Sequence, residues 1–202
     1  MNLKGLIWDG ASGIAAIAEM LDRAPHEERL EATRALDRAD QRALYRKAKE
    51  SSALTLGDFV PPDRSPLEPV RHFGRNTLPT PGNLRLFEKR FCKPTDSKTR
   101  LFGFNESPFR PLIGPGYFVA VTTDANAEWI ERGAVVVDYF QVPEGAVARG
   151  WPDVVPNTHG LQRYVYNRTR DFMRKVSTHV SIGAAYKGEK SLDHYFVLVR
   201  ER

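Results

Sequence analysis

Apolar and polar residues alternate with two periods along this chain, and the change of period divides it. Between residues 11 and 52 the apolar positions recur at helical spacing. Ile14, Ile17, Met20 and Leu21 share one face, with Asp9 or Ser12 as candidate caps. Pro25 followed by Glu27 and Glu28 suits the first turn of a second helix, whose apolar side is mostly alanine. Asp37 or Asp40 is placed to cap a third, carrying Leu44, Tyr45 and Ala48. Two or three short helices are expected, too few to make a core alone.

Residues 57–82 carry six of the 14 prolines: Pro61, Pro62, Pro66, Pro69, Pro79 and Pro81. Proline removes a ladder donor and fixes its own backbone, so neither regular helix nor sheet is expected there. From residue 84 the period falls towards two. Strands are expected at Leu84–Phe91, Arg100–Asn105, Tyr117–Thr123 and Ala134–Val142, with a helical turn at Glu128–Arg132. Leu161, Val165, Phe172 and Val176 then fall on one side of an amphipathic helix, with Arg163, Asn167, Arg170 and Arg174 opposite and Asn157 or Thr158 as cap. A hairpin follows, His179–Tyr186 and Leu192–Arg200 about Gly188–Glu189. Its second strand is apolar on both faces, which requires cover on both sides.

The expected fold is therefore α+β. A mostly antiparallel curved sheet or partial barrel carries one packed amphipathic helix, after two or three short N-terminal helices. The segments are a helical one over 1–56, a proline-rich connection over 57–82 and an α+β domain over 83–202, folding as one unit with the helices.

Composition narrows the chemistry by exclusion. The chain has 202 residues, and its single cysteine, Cys92, allows no internal disulfide and fits a reducing compartment. No apolar run is long enough to cross a membrane, and Asp9 interrupts the only leader-like stretch. A cytoplasmic protein is expected. The net charge of +5 lies wholly beyond residue 53, because residues 1–53 carry nine basic and nine acidic side chains. This favours anionic partners. Nucleic acid is disfavoured, since an arginine stripe such as Arg163, Arg170 and Arg174 is ordinary opposite an apolar face, and packing against the sheet can claim the flanking Tyr164 and Tyr166 that a platform would need.

The five histidines show no metal-ligand spacing, so no metal is expected. With a two-residue turn at Gly188–Glu189, His194 faces Gly183 and His179 faces Leu198. The two imidazoles are then about 13 Å apart along the ladder and cannot share an ion. Gly114-Pro115-Gly116 precedes a strand and lacks phosphate-loop spacing, and no other cofactor fingerprint is present, so no cofactor is expected.

Arg71-His72-Phe73-Gly74-Arg75-Asn76 is the densest polar cluster. Arg71, His72 and Arg75, with His159 ahead of the 161–176 helix, are the candidate contacts for a small anionic or amphipathic ligand. Asn105 and Arg110 are placed near the same mouth. A metal-independent, cofactor-free enzyme using Asp138, His159 and His194 as acid–base groups is a second reading. A third is an interaction module that associates, with itself or a partner, through the N-terminal helices. No motif identifies a family.

Overall fold

A computed structural model of the chain describes residues 2–79 and 82–201, so Pro81 lies outside the described residues. Four helices open it: α1 Leu3–Trp8, α2 Ile14–Arg23, α3 His26–Arg34 and α4 Arg38–Lys47. Asp37 caps α4 reciprocally with Asp40, as its sequence position suggests, whereas Gly13 precedes α2 without a side-chain cap. After a short turn comes α5, Leu56–Phe59.

Eight strands follow: β1 Val70–Asn76, β2 Leu86–Cys92, β3 Arg100–Glu106, β4 Phe118–Thr122, β5 Val135–Asp138, β6 Thr169–Lys175, β7 Val180–Lys187 and β8 Lys190–Arg200. Each pairs antiparallel with the next, and β1 pairs with β8, so the sheet closes into a barrel. One-turn helices interrupt the loops at α6 Arg110–Ile113, α7 Ala127–Arg132 and α8 Gln162–Val165. No helix among the described residues is long and apolar enough to cross a membrane. The class is thus α+β with a closed antiparallel barrel in place of a partial one.

Three expectations are corrected. The two or three short N-terminal helices are four, because Leu3 and Ile7, buried four residues apart, anchor α1 ahead of the expected ones. The amphipathic helix over 161–176 is instead α8 followed by strand β6, with Arg168 at a φ of 61° between them. Thr169, Asp171 and Met173 point into the barrel, while Arg170 and Phe172 point out. Phe172 is fully buried on the outside against Trp129 and Tyr186. A strand covered on both faces, with an aspartate at an inward position, has no alternation to read. Sheet also forms inside the proline-rich segment. Pro69 and Pro79 flank Val70–Asn76 without entering it, so β1 keeps all its ladder donors.

The role assigned to the missing helix falls to the N-terminal ones. Ile17, Leu21, Leu36 and Leu44 are fully buried in a cluster with Ile182, Ala184, Val197 and Val199 on the outer face of β7 and β8. The other face of β8 sends Phe196 and Leu198 inward. The double cover expected from its sequence is present.

Side chains fill the barrel, as its strand number allows. One end is stoppered by Leu54, just ahead of the proline-rich segment, and by Phe59 and Val60 at its start. The long β5–β6 connection covers the other. There Tyr166 stacks on Tyr139 at 5.3 Å, Gly116 N–H donates to Gln162 Oε1 at 3.2 Å, and Asn157 Nδ2 donates to the carbonyls of Tyr117 and Tyr139.

Candidate functional site

Polar chemistry concentrates at three places. The first is inside the barrel. Lys89 on β2 points inward between Phe87 and Phe91 and is 2% exposed. Its ammonium donates to Asn105 Oδ1 at 2.9 Å, to Asp171 Oδ2 at 3.0 Å and to the Tyr139 hydroxyl. The rings of Phe87, Phe118, Tyr139 and Phe196 surround it at 4.9–5.8 Å. Burial pushes the Lys89 amine down and the Asp171 carboxyl up, and the attraction between them opposes both shifts. Burial and the Asp171 charge hold the Tyr139 phenol well above its usual range. All three ammonium protons have acceptors, and Asn105 Nδ2 is held by Gly116 O and Tyr139. Lys89 thus has no free donor for a ligand.

The second place lies at the stoppered end, outside the core. A groove of about 680 Å³ runs between the proline-rich segment and the β2–β3 turn. Leu56, Val60 and Leu101 form its apolar floor. Lys93 ties the walls together by donating to the carbonyls of Pro62 and Arg64 at 2.8 and 3.0 Å. Arg64, Lys98 and Arg100 stand at the rim with one carboxylate, Asp96. Arg100 pairs with Asp96 at 2.7 Å through Nη2, but its buried Nε–H has no acceptor among the described residues. Leu67, beside this wall, is held at a φ of 62° by its N–H bond to Lys93 O. The third place is a cavity of about 230 Å³ between the start of α4 and the β1–β2 connection, lined by Arg38, Arg75 and Arg85.

The residues singled out from sequence do not converge. As strand β1, the 71–76 cluster alternates its side chains instead of presenting them together. Arg71 faces outward and pairs with Glu201 at 2.8 Å. His72 faces inward between Phe59 and Phe91, with Nε2 donating to Phe59 O at 2.9 Å; burial pulls its pKa down to about 3. Arg75 faces outward into the small cavity. His159 is exposed in the turn before α8, 3.4 Å from Thr158, and lines neither cavity.

Asp138 is buried on the outer face of β5. It accepts from Phe140 N at 2.9 Å and pairs with Arg170 at 3.4 Å, across from it on β6. His194 faces Ala185 instead of Gly183, because an irregularity at Ala185/Tyr186 shifts the hairpin register by two residues beyond the turn. Its Nδ1 lies 3.1 Å from Arg38 Nη2, and burial lowers its pKa. The Phe196 ring fills the gap at Gly183. No hydrogen bond or ion pair joins Asp138, His159 and His194 among the described residues.

Arg170 and Arg174 are also engaged. Arg170 lies over Trp129 and Phe140, and Arg174 donates to the carbonyls of Tyr45 and Glu131. Arg110 pairs with Glu106 at 2.7 Å. Cys92 is buried, and burial pushes its thiol up to about 11. No cluster of metal-ligating side chains occurs among the described residues.

Sequence reasoning missed Lys89 and Asp171. The signal for Lys89 was present in Phe87-Glu88-Lys89-Arg90-Phe91, where a charge occupies the apolar parity of a strand. Comparison with protein-family models, curated proteins and solved structures finds no match.

Proposed function

We propose that the protein binds a small amphipathic anion in the groove at the stoppered end of the barrel. The carrying observation is Arg100. It lines a cavity with an apolar floor and has a buried Nε–H that no group among the described residues satisfies. A buried donor without an acceptor costs about 1–3 kcal/mol, and an anionic oxygen at the rim removes that cost. Lys98 adds a second, exposed charge, and the floor takes the apolar body, the usual division of labour in a ligand pocket. Lys93 positions the walls and makes no ligand contact in this reading. A cytoplasmic setting goes with this reading, since the single Cys92 needs no disulfide partner there.

The test is a calorimetric titration of the full chain with dodecanoate and with naphthalene sulfonate, beside native mass spectrometry of gently purified protein. Saturable binding is expected, weakened roughly tenfold by Arg100→Ala and by Lys98→Ala, since a charge-assisted hydrogen bond is worth about 1.5–3 kcal/mol. Binding that ignores both substitutions overturns the reading. So does the absence of both saturable heat and any co-purified mass.

A further inference from the structure

The cavity between the N-terminal helices and the barrel differs in character from the groove. Its floor is Leu36, fully buried, and its walls come from three separate elements. Arg38 stands in the first turn of α4, Arg75 on the outward face of β1, and Arg85 at the end of the turn leading into β2. Among the described residues Asp37 is the only carboxylate on its lining. Three guanidinium groups thus face about 230 Å³ of space, of which Arg38 also pairs with Asp193 Oδ2 at 3.7 Å.

Arg75 is the unusual member. Arg38 is fixed by donating Nε and Nη2 to Asp193 O at 2.8 and 2.6 Å. The Arg75 guanidinium has no hydrogen bond or ion pair among the described residues, and its Nε is buried without an acceptor. Burial and the Arg85 charge both push its pKa down, with Asp37 opposing them. A protein that buries a guanidinium donor beside a second guanidinium, with no protein acceptor, holds it in an arrangement that an anion would relieve.

We infer that this cavity is an anion site, distinct from the groove, that takes the phosphate group of an inorganic phosphate or a small phosphomonoester through Arg75, Arg85 and Arg38. A carboxylate presents two oxygens and saturates one fork. A phosphate presents three or more to donors arriving from a helix start, a strand and a hairpin connection. Occupancy would tie α4 to β1 and β2, so the ligand would bridge the helical layer and the barrel.

Inorganic phosphate and phenyl phosphate are titrated separately against the full chain at constant ionic strength, read by phosphorus NMR line broadening. Saturable broadening is expected, weakened at least tenfold in Arg75→Gln and in Arg85→Gln and unchanged in Arg163→Gln, whose arginine lies on exposed α8. Tighter binding of phenyl phosphate assigns a monoester, and saturation by the inorganic ion alone confines the site to the free ion. Failure of both probes to saturate overturns the inference, as does broadening that persists in both cavity variants.

A second readout separates binding from folding. In phosphate-free buffer Arg75→Gln is expected to raise Tm, because it removes an unsatisfied donor and a like-charge contact. A lowered Tm would show Arg75 to be structural and would overturn its assignment as a ligand. Arg100→Ala is expected to leave the phosphate response intact, so the two sites succeed or fail separately.

Discussion

Taking an ammonium and a carboxylate out of water costs several kcal/mol per ion, and the return depends on complete hydrogen bonding. At Lys89 the return is complete, with Asn105, Tyr139 and Asp171 accepting and four rings facing the charge. Removing one partner should be far worse than removing the pair. Lys89→Met is expected to destabilise by about 3–5 kcal/mol, whereas Lys89→Met with Asp171→Leu returns close to wild type. Urea unfolding of the two singles and the double measures the coupling. A double as unstable as the sum of the singles would refute it. Lys89 was open to detection, being a charge at an inward parity between phenylalanines. Asp171 was not, because its own strand had been masked. A residue's depth in a closed barrel depends on strands far away in sequence, which no local pattern carries.

At the scale of elements, β1 and its plug are joined by one imidazole. His72 donates to Phe59 O and stays neutral inside the fold, with its pKa near 3 against about 6.5 in an unfolded chain. Below pH 6.5 the unfolded state therefore binds the extra proton, and stability falls as pH drops from 6.5 towards 3. The steepest loss is about 1.4 kcal/mol per pH unit. Between pH 6.5 and 5 the wild type is expected to lose about 1.6 kcal/mol through this group. His72→Gln should start less stable at pH 7 and show a flatter decline across the same window. Urea midpoints at three pH values decide this, and parallel slopes would refute it. The elements themselves were unevenly legible. Strands β2, β3, β4, β5, β7 and β8 and the capped helix α4 followed from apolar pattern and end signals. Helix and strand exchanged places at 169–175 because Phe172 outside and Met173 inside are both fully buried. Strand β1 was hidden by the prolines that bracket it.

For the molecule as a whole, the helical layer and the barrel share one apolar cluster. Full burial of a leucine or isoleucine is worth about 1.5–3 kcal/mol, and α2 and α4 contribute several. Leu21→Ala is expected to cost about 2–5 kcal/mol, read as a shift in the urea midpoint. Deleting residues 2–50 uncovers Ile182, Ala184, Val197 and Val199 together and should leave insoluble protein, checked by the soluble fraction after expression. A soluble, folded remainder would instead make the helices a separable layer. The chain's charge pattern, neutral to residue 53 and basic beyond, suggested a division that the packing crosses. Charge reports on surface, and here the contact is apolar.

The pairing of β1 with β8 has a consequence for how the chain comes to life on the ribosome. Until β8, the last of the strands to be made, has emerged, the nascent sheet has two open margins with unpaired backbone groups, each a template for a neighbouring chain. Contacts between strands more than a hundred residues apart also form slowly. Closure of the barrel must therefore wait until β8 has been made. The eleven residues of Lys190–Arg200 act as the seam on which the integrity of the wall depends, and a nick or stall just before them would release a species more prone to aggregate than to bind anything.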